Sequence, residues 1–299
     1  MKARCLALLV GTILLMACGD TQRSAPPAPV DTGVDTNTWA LIPSGEFLMG
    51  LHFHETPVDY DYEIMVTDVT NAQYAEYLNA ALSTDWVKLA AEGVVGYYPG
   101  DEFHRHEHEK PVPAGDYLHL PLDDSGLRLD FDAGHFTPKV GYENHPMVMV
   151  SWFGAKAYCE FHGWRLPSEV EWEKAARGTD GRPFPWGDEI ERNNANFYSS
   201  HDLFEKIVAG LGDTTPVGFY NGETYAGYQT LDSPSPYGLY DMAGNVWQWT
   251  GDVYPDQHYR YMRGGSRANY AYNLRVWTRN SAGPEYFSPI VGFRCARDK

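Results

Sequence analysis

Residues 145–178 read HPMVMVSWFGAKAYCEFHGWRLPSEVEWEKAARG, and two helices can be marked in that stretch. Ser151 is an N-cap: its hydroxyl can accept from an amide two or three residues on, and the run behind it puts Ala155, Tyr158, Cys159 and Phe161 on one face. Gly163 supplies the left-handed stop. Pro167 resets the chain, Ser168-Glu169-Val170-Glu171 forms a capping box, and the second helix stops at Gly178.

Outward from that pair the chain turns irregular. Toward the N-terminus a third helix follows Thr70, with Ala72, Tyr74, Ala75, Tyr77, Leu78 and Ala81 at helical spacing. Before it, residues 39–50 (WALIPSGEFLMG) read as two short strands joined at Pro43-Ser44-Gly45. Beyond Gly178, short apolar runs are broken by Gly, Pro, Asn and Asp, which predicts short strands and long loops. Residues 84–145 are the least patterned and read as an insertion: a long surface loop or a small extra lobe.

The first 37 residues carry a different message. Met1-Lys2-Ala3-Arg4, an apolar run from Cys5 to Ala17, and then Cys18 form a secretory signal, too short to span a bilayer. Leu15-Met16-Ala17-Cys18 resembles a bacterial lipobox, which expects residues 1–17 to be removed and Cys18 to be acylated. The competing reading is ordinary secretion with an incidental cysteine. Residues 18–37, with Ala25-Pro26-Pro27-Ala28-Pro29, then read as a flexible tether between membrane and fold. The expected location is the bacterial envelope, lipid-anchored and exported. With Cys5 removed and Cys18 lipidated, two cysteines remain, Cys159 and Cys295. In an oxidising compartment an even count suggests a disulfide; two buried free thiols are the alternative. A net charge of -17 repels a phosphate backbone, so nucleic acid is excluded as a partner.

Four stretches in order carry a resemblance. They are residues 42–50 (IPSGEFLMG), Val66-Thr67-Asp68-Val69-Thr70-Asn71, residues 145–178, and residues 237–250 (YGLYDMAGNVWQWT) with Arg263-Gly264-Gly265-Ser266 and a closing Gly292-Phe293-Arg294-Cys295. Together they resemble the formylglycine-generating enzyme family, or sulfatase-modifying factor domain. The resemblance implies one α+β domain over residues 38–298 with a modified C-type-lectin-like fold, low in regular secondary structure. It also implies that Cys159 pairs with Cys295.

The resemblance bears on chemistry chiefly through what is replaced. The family's enzymes oxidise a substrate cysteine using two cysteines after the RGGS segment, which bind copper(I). Soft thiolates suit that ion. Aligned on Arg263-Gly264-Gly265-Ser266, those positions hold Asn269 and Leu274, so no copper and no formylglycine chemistry are expected. The scaffold of the family's cleft remains, with Trp249, Arg263, Ser266, Asn269, Arg275 and Arg279 as candidate ligand contacts. The arginines are open to a blander reading, in which they brace loops through backbone carbonyls. Structural calcium is implied near Asn245, Val246 (by its carbonyl) and Gln248, with a second stretch at Asn196 and Phe197. Gln248 stands where the family has glutamate, which removes a charge a hard cation favours.

Independently of the resemblance, His104, His106 and His108 alternate, which on an extended strand puts three imidazoles on one face beside Glu107 and Glu109. A transition metal is one reading and a solvated polar loop the other; His52 and His54 form a second such pair. No phosphate loop and no GxSxG elbow occur. The functional expectation is therefore a non-catalytic envelope module that binds a protein, peptide or glycan. Next comes an oxidoreductase using other metal- or cofactor-dependent chemistry, and last a true formylglycine generator.

Overall fold

The computed structural model describes residues 29–105, 107, 109–198, 200–205, 212–254 and 258–299. The signal segment, Cys18, the tether up to residue 28, His106 and His108 lie outside the described residues.

Three helices form where the caps require them. Helix α1 spans Asn71–Ser83, α2 Trp152–Phe161 and α3 Glu169–Arg177. Ser151 Oγ accepts from the Gly154 amide at 3.2 Å. The α3 box closes both ways: Ser168 Oγ takes the Glu171 amide at 3.2 Å, and the Glu171 carboxylate takes the Ser168 amide at 2.7 Å. Thr70 and Gln73 make the same box on α1. Each cap is worth about 1 kcal/mol by satisfying an end amide that has no intrahelical partner.

Two of the sheets frame the domain. In one, strand Tyr62–Met65 lies between Trp39–Ile42 and Ala296–Asp298, antiparallel to both, so the two ends of the domain meet. In the other the order is Arg279–Ala282, Tyr259–Arg263, Trp247–Tyr254, Val291–Phe293, the last pair parallel. Helices α1 and α2 cover this second sheet with an aromatic stack in which Tyr158 meets Tyr74 at 5.6 Å and Phe293 at 5.4 Å. Cys159 on α2 is bonded to Cys295 in the closing segment, with their Cα atoms 5.7 Å apart. Helix α3 lies in a neighbouring cluster whose centre is Trp172, fully buried.

Residues 84–145 are a lobe, not a loose loop. Strands Lys88–Leu89, Gly93–Tyr98 and Gly115–Pro121 form one small sheet, and Leu129–Asp132 pairs with His135–Pro138. Leu120, Leu127, Leu129 and Phe136 enter the main apolar cluster, and Tyr117 stacks on Phe153 of α2 at 4.2 Å. The segment's charged stretches disguise an apolar face that only this docking buries.

Candidate functional site

Arg263 ends its strand, and the next two residues turn the chain with φ of +93° at Gly264 and +73° at Gly265. A Cβ on Gly265 would lie 2.9 Å from both the Asn273 carbonyl and the Leu274 side chain. The glycine is needed because the returning segment presses against it. Ser266 follows, buried, its hydroxyl donating to Asn269 Oδ1 at 2.8 Å while its amide donates to the same oxygen at 3.0 Å. The turn Ala271–Leu274 then drives Leu274 into a small apolar cluster with Phe184, Ala195 and Ala243.

Of the candidate cleft residues, three are fully buried: Ser266, described above, Trp249 and Arg263. Trp249 is fully buried and its indole donates to the Val150 carbonyl at 3.2 Å. Arg263 is fully buried too. Its guanidinium binds Glu173, donates to the Trp277 carbonyl at 3.2 Å and lies over the Trp172 ring at 5.4 Å. Trp249 is corrected from ligand contact to bracing, Arg263 takes the bracing reading the sequence left open, and Ser266, equally enclosed, is likewise part of the scaffold. Arg279 is exposed and held by Glu169 at 3.0 Å. Arg275 is half-buried, with its guanidinium 4.8 Å from the Tyr272 ring.

What the structure adds is a platform of tyrosines. Tyr270 and Tyr272 are 66% and 64% exposed, and Tyr198 crosses Tyr270 edge-on at 4.8 Å. The Tyr198 amide donates to the Asn269 carbonyl at 2.9 Å, which fixes the two segments together. Exposed aromatic faces beside an arginine suit a glycan or peptide. The sequence signal was available: Tyr270 and Tyr272 lie between the two replaced positions.

A cavity of about 810 Å³ lies elsewhere, between α2, α3 and strand Trp247–Tyr254. None of the candidate cleft residues lines it. On its wall Arg165 holds Glu171 at 2.7 Å and Asp298 at 2.8 Å.

A sequence model of the sulfatase-modifying factor enzyme 1-like domain matches residues 24–299. The chain belongs to this family. The formylglycine-generating enzyme of Streptomyces coelicolor is 30% identical, the match covering 95% of this chain and 97% of that protein. The serine/threonine-protein kinase pkn1 of Chlamydia pneumoniae is also 30% identical, but the chain spans only 42% of that protein's length. The inactive Cα-formylglycine-generating enzyme 2 of Bos taurus is 40% identical over half of each chain. PvdO from Pseudomonas aeruginosa superposes with a TM-score of 0.54 at 24% identity, covering 87% of this chain and 94% of that one. The fold is the mixed, C-type-lectin-like one of the family, with 14% of the described residues helical and 29% in strands.

The family's copper does not fit the residues here. Position 269 offers an amide oxygen already accepting two hydrogen bonds, position 274 a buried hydrocarbon, and the cysteines described are spent in the disulfide. Among the described residues no thiolate faces the turn.

The calcium candidates are also engaged. Gln248 Oε1 accepts from the Trp172 indole at 2.7 Å and from Arg294 Nε at 2.9 Å, which uses both its lone pairs. The Asn245 side chain bonds the Thr215 backbone twice, its Oδ1 taking the amide at 3.1 Å and its Nδ2 giving to the carbonyl at 3.2 Å. Val246 is fully buried. The Asn196 carbonyl takes the Asn245 amide at 2.7 Å, and the Phe197 carbonyl takes the Ser200 amide at 3.0 Å.

Of the histidine row, His104 is described: its amide donates to Glu109 Oε1 at 2.8 Å. His52 and His54 lie together, ring centroids 6.3 Å apart, at the start of strand His54–Val58. Sequence reasoning missed His258. Its ring bridges Asp101 at 2.7 Å and Glu109 at 2.7 Å, and Arg260 and the Tyr98 hydroxyl also bind Asp101. This knot fastens the lobe to the second sheet. Burial works to lower the His258 pKa, but the hydrogen bonds and charges of Glu109 and Asp101 outweigh it and hold the value above the ordinary 6.5. The linkage sign follows: the contribution is full below pH 6.5 and is lost as pH rises through the elevated value. Amide exchange over residues 101–105, corrected for intrinsic rate, is expected to quicken between pH 6 and pH 9. His258→Gln should flatten that dependence; an unchanged dependence would contradict the assignment.

Proposed function

We propose that this chain is an exported, lipid-anchored member of the family that binds a partner in the cell envelope and has given up formylglycine chemistry. One observation carries the reading: the two positions where the family keeps its copper-binding thiols hold Asn269 and Leu274, one consumed by Ser266 and the other packed in the apolar cluster. The tyrosine platform beside them supplies a surface for a glycan, peptide or protein without any reactive group. The word "inactive" in the name of the bovine relative is consistent with loss of activity within the family. Calcium bound through carbonyl oxygens would be structural in this reading. An oxidoreductase with a different metal is the second reading, supported only by the histidine row.

The test is direct. The purified chain, supplied with copper(I), oxygen and a sulfatase-motif peptide, is expected to yield no aldehyde by mass spectrometry; a turnover product would overturn the reading. For the anchor, Cys18→Ser is expected to abolish palmitate labelling and release the chain from membranes. Retained labelling would place the lipid elsewhere.

A further inference from the structure

A second cavity, about 440 Å³, opens between α1, α2 and the start of strand Trp39–Ile42. Its walls are aromatic: Trp39, Tyr77, Tyr158, Phe161 and Trp164 line it. The rings meet at steep angles, Trp39 to Trp164 at 4.8 Å and 65°, Tyr77 to Phe161 at 5.3 Å and 68°. Tyr77 and Tyr158 are almost wholly buried behind these contacts, so the half-buried Trp39, Phe161 and Trp164 give the cavity its accessible aromatic surface. Among the described residues of the lining, Glu76 alone carries a formal charge at neutral pH. It is exposed at the rim, and after burial its charge is what raises the Tyr158 phenol. His162, stacked on Trp164 at 4.6 Å, has its pKa lowered by burial and so adds no cation at neutral pH. Arg297 lies 4.2 Å from the Trp39 ring but does not line the cavity, and Glu63 matches its charge at 2.6 Å.

We propose that this cavity is an aromatic cage for a quaternary ammonium group, with Glu76 as its counter-charge. The chemistry selects among guests. An anion would meet Glu76 and a chain of net charge -17. A primary ammonium would give up hydration that ring faces cannot replace. A trimethylammonium spreads its charge over methyl groups, loses little water, and draws on ring quadrupoles and the carboxylate together. The group could reach the cage as a free small molecule or as the headgroup of a choline lipid.

Calorimetry on the full chain distinguishes these cases. Choline is expected to bind saturably, and 3,3-dimethylbutan-1-ol, its uncharged isostere, at least ~10-fold more weakly. Glu76→Gln sits on an exposed helix face and should leave folding intact while weakening choline by roughly 3- to 10-fold, with no effect on the alcohol. Trp164→Ala should cost ~5-fold or more. The unlipidated Cys18→Ser chain is then sedimented with phosphatidylcholine vesicles. Co-sedimentation released by free choline assigns the lipid headgroup; choline binding without co-sedimentation assigns the soluble ligand. Equal affinity for choline and the alcohol, or no heat with choline and no co-sedimentation, would overturn the proposal.

Discussion

Glu173→Gln is expected to destabilise the folded domain by about 3–5 kcal/mol. The glutamate is 1% exposed and joins two arginines that are wholly buried. Arg177 donates to it at 2.8 Å, Arg263 grips its other oxygen, and the Gly50 amide donates as well. Burial presses the Arg177 guanidinium toward neutrality, and the Glu173 charge opposes that. Glutamine keeps an oxygen for the hydrogen bonds but removes the charge, leaving Arg177 without its carboxylate and Arg263 with Glu169 alone, 3.5 Å away. A small domain has only about 5–15 kcal/mol in hand, so the loss should be plain in urea denaturation. A change under ~1 kcal/mol would mean that water screens the trio, and the placement of Arg263 as scaffold would then be wrong.

Removing both Cys159 and Cys295 as alanines is expected to cost about 2–5 kcal/mol. The bridge closes a separation of 136 residues, so the chain-entropy contribution lies at the upper end, near ~5 kcal/mol, before any cavity is counted. Both residues are fully buried in the main cluster. Dithiothreitol should therefore leave the native melting profile unchanged until local opening exposes the sulfurs, and lower it sharply once the chain has been unfolded and reduced. Melting of the double variant within a degree or two of wild type would show that the helices and aromatic stack suffice without the bond.

The parts of this molecule legible in the sequence are those fixed locally. Ser151, Ser168 and Glu171 act within a turn of their own helix, so the caps could be read directly. The replaced positions 269 and 274 were legible because a motif fixes their offset from Arg263-Gly264-Gly265-Ser266. Orientation was not. Trp247, Gln248, Trp249 and Thr250 are all buried, since their strand lies between neighbours and under a helix, so no alternation shows which side chains face a ligand. Trp249 was misjudged for that reason, whereas Arg263 follows the bracing reading that the sequence had left open. The lobe over residues 84–145 hid its core face because its strands, paired with one another, bury that face only by docking on α1 and α2. The His258 knot joins residues 149 and 157 positions apart, a pairing no local pattern announces. The cage, too, is assembled from three separate segments.

The central claim, that sulfur is missing from the family's metal position, is tested most directly by anaerobic copper(I) competition against bathocuproine at neutral pH with the disulfide intact. The expected result is that the chelator keeps all of the metal, while a control carrying Asn269→Cys and Leu274→Cys withdraws it. One equivalent of copper(I) held by the wild-type chain, with a thiolate-to-copper absorption band, would contradict the account.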